Sequence, residues 1–397
     1  MRIADLLERD LSRGIEEIIK VDQADEQSVH AEITEYVATD RIKSQYRDLF
    51  RAISEAPSEL TEGIGVWISG FFGSGKSSFA KNLGYVLANQ TVLGKPASQL
   101  FKTQVQDQRI SELVDFINIG IPTEVIMFDV SADRAVRDNT ERIAEVMYKV
   151  LLRKLDYAED FDIAELEIEL EREGRLKAFI SKCEEKYQQK WSIIRKGAQK
   201  ISRVSAVLHE MDSGTYETAD SWALSIREKP TDISVTMFVE RAFDLCQRRK
   251  PDHALVFIID EVGQYVARSA DKIEDLRAVV EQFGKVGKNL LRKKEIKAPA
   301  WVMVTSQEKL DEVVAALDSR RVELAKLQDR FKHRIDLAPA DIREVASRRV
   351  LAKKEEAVPH LKSIYGTHEG LLKAACQLER THRKSEVTEE DFIQFYP

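Results

Sequence analysis

The sequence predicts an α/β fold: a parallel five-stranded sheet covered by helices, with a long helical insertion and a C-terminal helical lid domain. Three observations carry this. Apolar, β-branched runs of strand length recur along the chain, segments of helical period separate them, and one strand-to-helix junction is glycine-rich, "GVWISGFFGSGKSSFAKNLG" over residues 65–84.

Residues 1–60 read as a mainly helical segment and linker. Ile3, Leu7, Leu11, Ile15 and Ile18 recur near a helical period, as do Ile42, Tyr46, Leu49 and Ile53, and Pro57 with "PSELTEG" marks a connector. A core follows over 61–340. Its first strand is "GVWIS", with a helix from about Ser77 to Ala88; further strands are expected at 124–130, 253–260, 300–306 and 333–338. Between the second and third strands lies a helical insertion at about 150–250. There Leu176, Phe179, Ile180, Cys183, Tyr187, Trp191 and Ile194 keep a helical period, which predicts an extended helical hairpin packed on the core; a partner-binding arm is the alternative. Residues 341–397 read as a small helical domain. The chain stops at Tyr396 and Pro397 without a polar tail, which predicts a fragment of something longer.

Composition excludes several classes. With 43% hydrophobic and 32% charged residues the chain is neither disordered nor fibrous, and a net charge of −7 leaves only local basic patches for contact with DNA. Three scattered cysteines give neither a zinc spacing nor a disulfide framework, consistent with a reducing cytoplasm. The longest apolar run, "ALVFII", is strand-sized, so no membrane association is expected.

Gly70 to Ser77 spell G-F-F-G-S-G-K-S, a complete G-x-x-x-x-G-K-[ST] phosphate loop in its required place between strand and helix. Its glycines let successive amides face phosphate oxygens, and the helix N-terminus adds partial positive charge. Lys76 would reach the terminal phosphates and Ser77 would hold Mg²⁺. "LVFIIDE", residues 255–261, ends a buried strand in two carboxylates: Asp260 suits a Mg²⁺ ligand and Glu261 a base for water. Together the two motifs favour nucleoside-triphosphate hydrolysis over a small-molecule kinase.

The remaining candidates each carry an ordinary reading beside the functional one. The fourth strand ends in Thr305, Ser306 and Gln307; Ser306 or Gln307 would orient water or sense the γ-phosphate, and Ser306 equally suits a helix N-cap. Arg330 would be offered to a neighbouring subunit's γ-phosphate, or would form a surface salt bridge. Arg343, Arg348 and Arg349 are candidate lid arginines, or a solvated helix face. Lys285, Lys288, Arg292 and Lys293 would contact DNA phosphates, or form another wet face. No N-K-x-D stretch selects guanine, so adenine is the default base; Tyr36 and Val37 would flank it, or pack in the core.

With these elements in this order, residues from about 36 to 397 resemble the AAA+ superfamily, nearest its origin-recognition and STAND-like branches. "MRIADLLERDLSRGIEEIIKVDQAD", "EITEYVATDRI" and especially "GVWISGFFGSGKSSFAKNLGYVL" look like the N-terminal part of the large P-loop ATPase of bacterial phage-exclusion (BREX) systems, the BrxC or PglY type. The resemblance implies an ATP- and Mg²⁺-dependent module of an antiviral defence system. It would self-assemble and work beside other phage-exclusion proteins, including a DNA methyltransferase, with DNA as a further partner. It also implies that Gly70, Gly73, Ser74, Gly75, Lys76, Ser77 and Ser78 hold phosphate and Mg²⁺, and that Asp260 and Glu261 form the Walker B pair. The fourth strand departs from the asparagine common among AAA+ proteins, and the lid shows no G-x-R sensor. Two functions compete: an ATPase that hydrolyses in an assembly, and a nucleotide-gated switch or scaffold with slow or no turnover that recruits partners.

Overall fold

The fold is seen in a computed structural model that describes residues 3–7, 25–130, 142–266, 270–315, 328–338, 344–345, 347–349, 351–376 and 388–395. Five strands form the main sheet: β1 (Gly65–Gly70), β4 (Thr123–Asp129), β5 (Ala254–Asp260), β6 (Trp301–Ser306) and β7 (His333–Leu337). A short antiparallel hairpin, β2 (Thr91–Val92) and β3 (Lys95–Pro96), stands apart; its two-residue turn, Leu93 and Gly94, was not foreseen from sequence. The order in the main sheet is β4-β5-β6-β1-β7, and every pairing is parallel.

Hydropathy explains that order. Every residue of β5 and β6 is buried, as inner strands covered on both faces require, whereas edge strand β7 buries Ile335 and Leu337 and exposes Arg334. Alternation sends side chains to two cores. Val66, Ile68, Val256, Ile258, Met303 and Ile335 meet the helices Asp40–Glu59, Lys76–Ala88, Ala97–Val105 and Gln108–Gly120. Trp67, Phe128, Phe257, Ile259, Val302 and Val304 meet the helices of the insertion and the helix Ala270–Arg292. Burying each large side chain contributes roughly 1.5–3 kcal/mol.

The insertion is a set of short helices rather than an extended hairpin. The helix Leu176–Tyr187 ends because Gln188 turns left-handed at φ 49°, and Trp191 starts the short helix Trp191–Ile194. Phe179, Cys183, Trp191 and Ile194 nevertheless share the sheet's core. Buried Glu167 clasps the turns, accepting from Ala158 N at 2.6 Å, Trp191 Nε1 at 2.6 Å and Arg195 at 3.2 Å.

At the N-terminal end, Ile42, Tyr46, Leu49 and Ile53 are buried as their period predicts. Pro57 lies inside the last turn of that helix rather than in the connector; Leu60, at φ 47°, ends it. Leu11, Ile15 and Ile18 lie outside the described residues. Ile3–Leu6 do not join the sheet: Leu6 packs with Ala357, Leu361, Tyr365 and Phe392 in a third, small core of the C-terminal helices. No helix among the described residues is long and apolar enough to cross a membrane.

Candidate functional site

The strand order brings the two motifs together. β6 lies between β1 and β5, so its carboxyl end separates the phosphate loop from Asp260 and Glu261 by one strand's width, about 4.8 Å on each side.

The loop folds as its glycines allow. Ser74 N donates to Phe71 O at 3.0 Å, and Gly73 and Gly75 adopt φ of 77° and 89°, a left-handed region in which other residues are strained. Gly75 caps the helix Lys76–Ala88 without a side-chain acceptor, so the first-turn amides of Lys76, Ser77 and Ser78 receive no cap bond. Phe79 N makes the first helical bond, to Gly75 O at 2.8 Å. Gly70 permits a close approach: a Cβ there would stand 2.4 Å from Ser74 Oγ. That hydroxyl is buried and has no protein partner. Lys76 is 5% exposed; its ammonium donates to Phe71 O at 3.3 Å, and its pKa is pulled down by burial against the opposing pull of Glu261 and Asp260.

On β5, Asp260 is 3% exposed and accepts a short hydrogen bond from the Thr305 hydroxyl. The same hydroxyl accepts from Glu261 N at 3.0 Å. Glu261 is held at φ 57°, an uncommon conformation for a non-glycine residue and one found preferentially at functional sites. Burial raises its carboxyl pKa, Asp260 and Asp129 push the same way, and Lys76 and the Gln307 hydrogen bond oppose them.

The polar end of β6 therefore acts through Thr305 more than through the two residues singled out from sequence. Ser306 is fully buried, its hydroxyl accepts from Glu308 N at 3.1 Å, and it packs on Gly263, where a Cβ would come within 2.1 Å of Ser306 Oγ. Ser306 therefore closes a turn at the end of the strand and does not cap a helix, since the next one, Leu310–Ala315, begins four residues later. Gln307 is exposed and approaches Glu261 Oε2 with its amide at 3.5 Å. Asp129 escaped the sequence reading altogether: it is in register with Asp260 on the neighbouring strand. The signal was present, since "EVIMFD" ends in a carboxylate just as "LVFIID" does.

Other candidates lie elsewhere. Arg330 is at the amino end of β1, where its carbonyl abuts Gly65, about 17 Å of strand from the loop. It pairs with Glu62 at 3.7 Å and Glu281 at 3.4 Å, the salt-bridge reading, and does not reach the phosphate loop of its own subunit. Lys285 and Lys288 are likewise paired, with Glu281 at 2.5 Å and Glu62 at 2.8 Å, and Lys293 lies 4.0 Å from Glu295. Arg343 lies outside the described residues. Arg348 pairs with Glu344 at 2.8 Å, while Arg349 reaches across to Glu35 at 3.1 Å.

Tyr36 is buried, edge-on to Tyr46 and stacked near Phe101, so it packs in the core. Tyr46 in turn donates to Phe79 O at 3.0 Å, which fixes this cluster to the start of the loop helix. Tyr36 and Val37 also line a cavity of ≈ 350 Å³ with Lys43, Gln104, Gln106 and Arg348.

The residues present fit a nucleotide and a hard cation. The loop offers uncapped amides, an unpartnered buried hydroxyl and a shielded lysine. Ser77 and Asp260 offer oxygen donors only, the set Mg²⁺ accepts when phosphate and water complete its shell. Compared with known proteins, the chain matches no family model and no solved structure.

Proposed function

We propose that this chain binds ATP with Mg²⁺ and hydrolyses it. The observation carrying this reading is the convergence at one end of the sheet of a shielded Lys76 in a left-handed glycine loop with Asp260 and Glu261, both braced by Thr305. In this reading the amides from Gly73 to Ser78 and the Lys76 ammonium hold the β- and γ-phosphates. Ser77 and Asp260 hold Mg²⁺, which neutralises phosphate charge when bound. Glu261 accepts the proton of the attacking water, and the environment that raises its pKa makes it a better base. Tyr36 and Val37 would flank the adenine from the cavity that they line.

The resemblance of the loop region to the BREX P-loop ATPases supports a role in phage defence. There the chain would act in the cytoplasm as part of an AAA+-like assembly with a helical lid, beside a methyltransferase and other exclusion proteins. A nucleotide-gated switch with slow turnover is the second reading. It is favoured by the occupation of Arg330 with Glu62 and Glu281 and by the attachment of the C-terminal helices through Arg349 and Glu35.

Equilibrium binding of ATP with and without Mg²⁺, on wild type and Lys76→Ala, tests the common premise. Saturable binding that Lys76→Ala abolishes supports it. Equal binding by both proteins, or none by wild type, would remove the nucleotide reading.

A further inference from the structure

Gln104 and Gln106 stand at the carboxyl end of the helix Ala97–Val105 and line the cavity of ≈ 350 Å³ that Tyr36 and Val37 also line. Gln106 is fixed there as the helix C-cap: it turns left-handed at φ 52°, and its backbone N–H donates to Lys102 O at 3.0 Å. Phe101, one turn earlier, is buried against Tyr36 and Tyr46, which holds this end of the helix to the cavity wall. Both side-chain amides are accessible: Gln104 is half-buried, Gln106 is exposed, and among the described residues neither side chain bonds to a protein group.

A short hydrogen-bond relay joins this cavity to the phosphate loop. The Tyr36 and Tyr46 hydroxyls are 3.2 Å apart, Tyr46 donates to Phe79 O at 3.0 Å, and Phe79 N makes the first bond of the loop helix, to Gly75 O at 2.8 Å. A nucleotide whose phosphates lie in the loop can therefore reach the cavity with its base. A primary amide carries a donor and an acceptor side by side, and adenine answers with an amine donor beside a ring-nitrogen acceptor, so the two pair through two bonds at once. We propose that Gln104 and Gln106 select adenine as the base of the bound nucleotide, between the apolar walls of Tyr36, Val37 and Val105. Guanine is read instead by cationic donors on O6 and N7. Of the two cations in the lining, Arg348 is paired with Glu344 at 2.8 Å, which leaves Lys43 as the competing donor. The inference rests on the nucleotide reading and adds to it the side chains that choose the base, for which no contiguous sequence motif exists.

The test is equilibrium binding of the β,γ-imido analogues of ATP and GTP, with Mg²⁺, to the full chain. Wild type is compared with Lys43→Met, with Lys76→Ala and with a double variant, Gln104→Met plus Gln106→Gly. Methionine keeps the length of Gln104 without its amide, and glycine suits the left-handed backbone at position 106, so the double variant should melt close to wild type. Wild type should bind the adenine analogue at least about tenfold more tightly than the guanine analogue, within the range that one two-bond pair with a base provides. The double variant should bring the two to near parity by weakening the adenine analogue alone, and Lys43→Met should keep the wild-type preference. Equal binding of both analogues by wild type, a double variant that keeps the preference or weakens both analogues alike, or a preference lost in Lys43→Met would each overturn the inference and leave the nucleotide reading standing. Binding of neither analogue, or binding that Lys76→Ala leaves unchanged, would instead remove the nucleotide reading and this inference with it.

Discussion

Thr305 is hydrogen-bonded to Asp260 across the boundary between β6 and β5, and the same hydroxyl accepts the Glu261 amide at 3.0 Å. One fully buried oxygen thus fixes the carboxylate proposed to hold the cation and the backbone of the residue proposed to activate water. Thr305→Val keeps the shape and removes both bonds. It should lower ATP turnover about 10- to 100-fold, measured as phosphate release, while Thr305→Ser restores most of the rate. A Thr305→Val protein with wild-type turnover would show that the hydroxyl only fills space.

The helix that follows the loop is anchored by a buried ion pair. Lys81 is wholly buried and donates to Glu32 at 2.6 Å, and Glu32 also accepts from Tyr85 at 2.7 Å. Glu32→Gln leaves a buried ammonium facing a neutral amide and should cost about 3 kcal/mol in urea unfolding. Lys81→Met should cost distinctly less, since Glu32 keeps access to water. The reverse ranking would mean that the pair is not the anchor.

Stability should fall in acid in a way traceable to two carboxylates. A hydrogen bond from Lys288 holds Glu62 below its ordinary pKa of 4.5, and one from Lys285, with help from Arg330, does the same for Glu281. A depressed folded-state pKa gives stability that is complete above the unfolded value and is lost as pH falls through the folded one. The window therefore lies below about pH 4.5. In melting curves across that range, Glu281→Gln should lower the Tm plateau above about pH 4.5, where the carboxylate contributes, and so flatten the acid-side loss; an unaltered acid limb would count against the assignment.

Arg330 provides a separate test of assembly. Its ion pairs at the amino end of β1 predict that Arg330→Ala lowers Tm and leaves the turnover per folded subunit unchanged at every protein concentration. A rate that rises with concentration in wild type and collapses in Arg330→Ala would instead mean that the arginine leaves those partners to complete a neighbour's site.

What the sequence made legible was local. The phosphate loop, the double carboxylate after a buried strand and all five main strands are contiguous patterns whose physics is contained in a few residues. The role of Thr305 was hidden because it depends on β6 lying beside β5, a pairing between residues more than forty positions apart. Asp129 was missed for the same reason. The helical period through Leu176–Ile194 misled because burial on one core persists through the left-handed turn at Gln188: periodicity reports which side chains are buried, not whether the helix is continuous. The docking of Leu6 on the C-terminal helices joins the two ends of the chain, which no local pattern encodes.

Paired ATP-binding and turnover measurements on wild type, Lys76→Ala and Glu261→Gln bear most directly on the central claim. Lys76→Ala should lose binding. Glu261→Gln should bind ATP as wild type does and hydrolyse it at least about 100-fold more slowly. Turnover undiminished in Glu261→Gln, or ATP binding undiminished in Lys76→Ala, would contradict the assignment of this sheet end as a site of ATP hydrolysis.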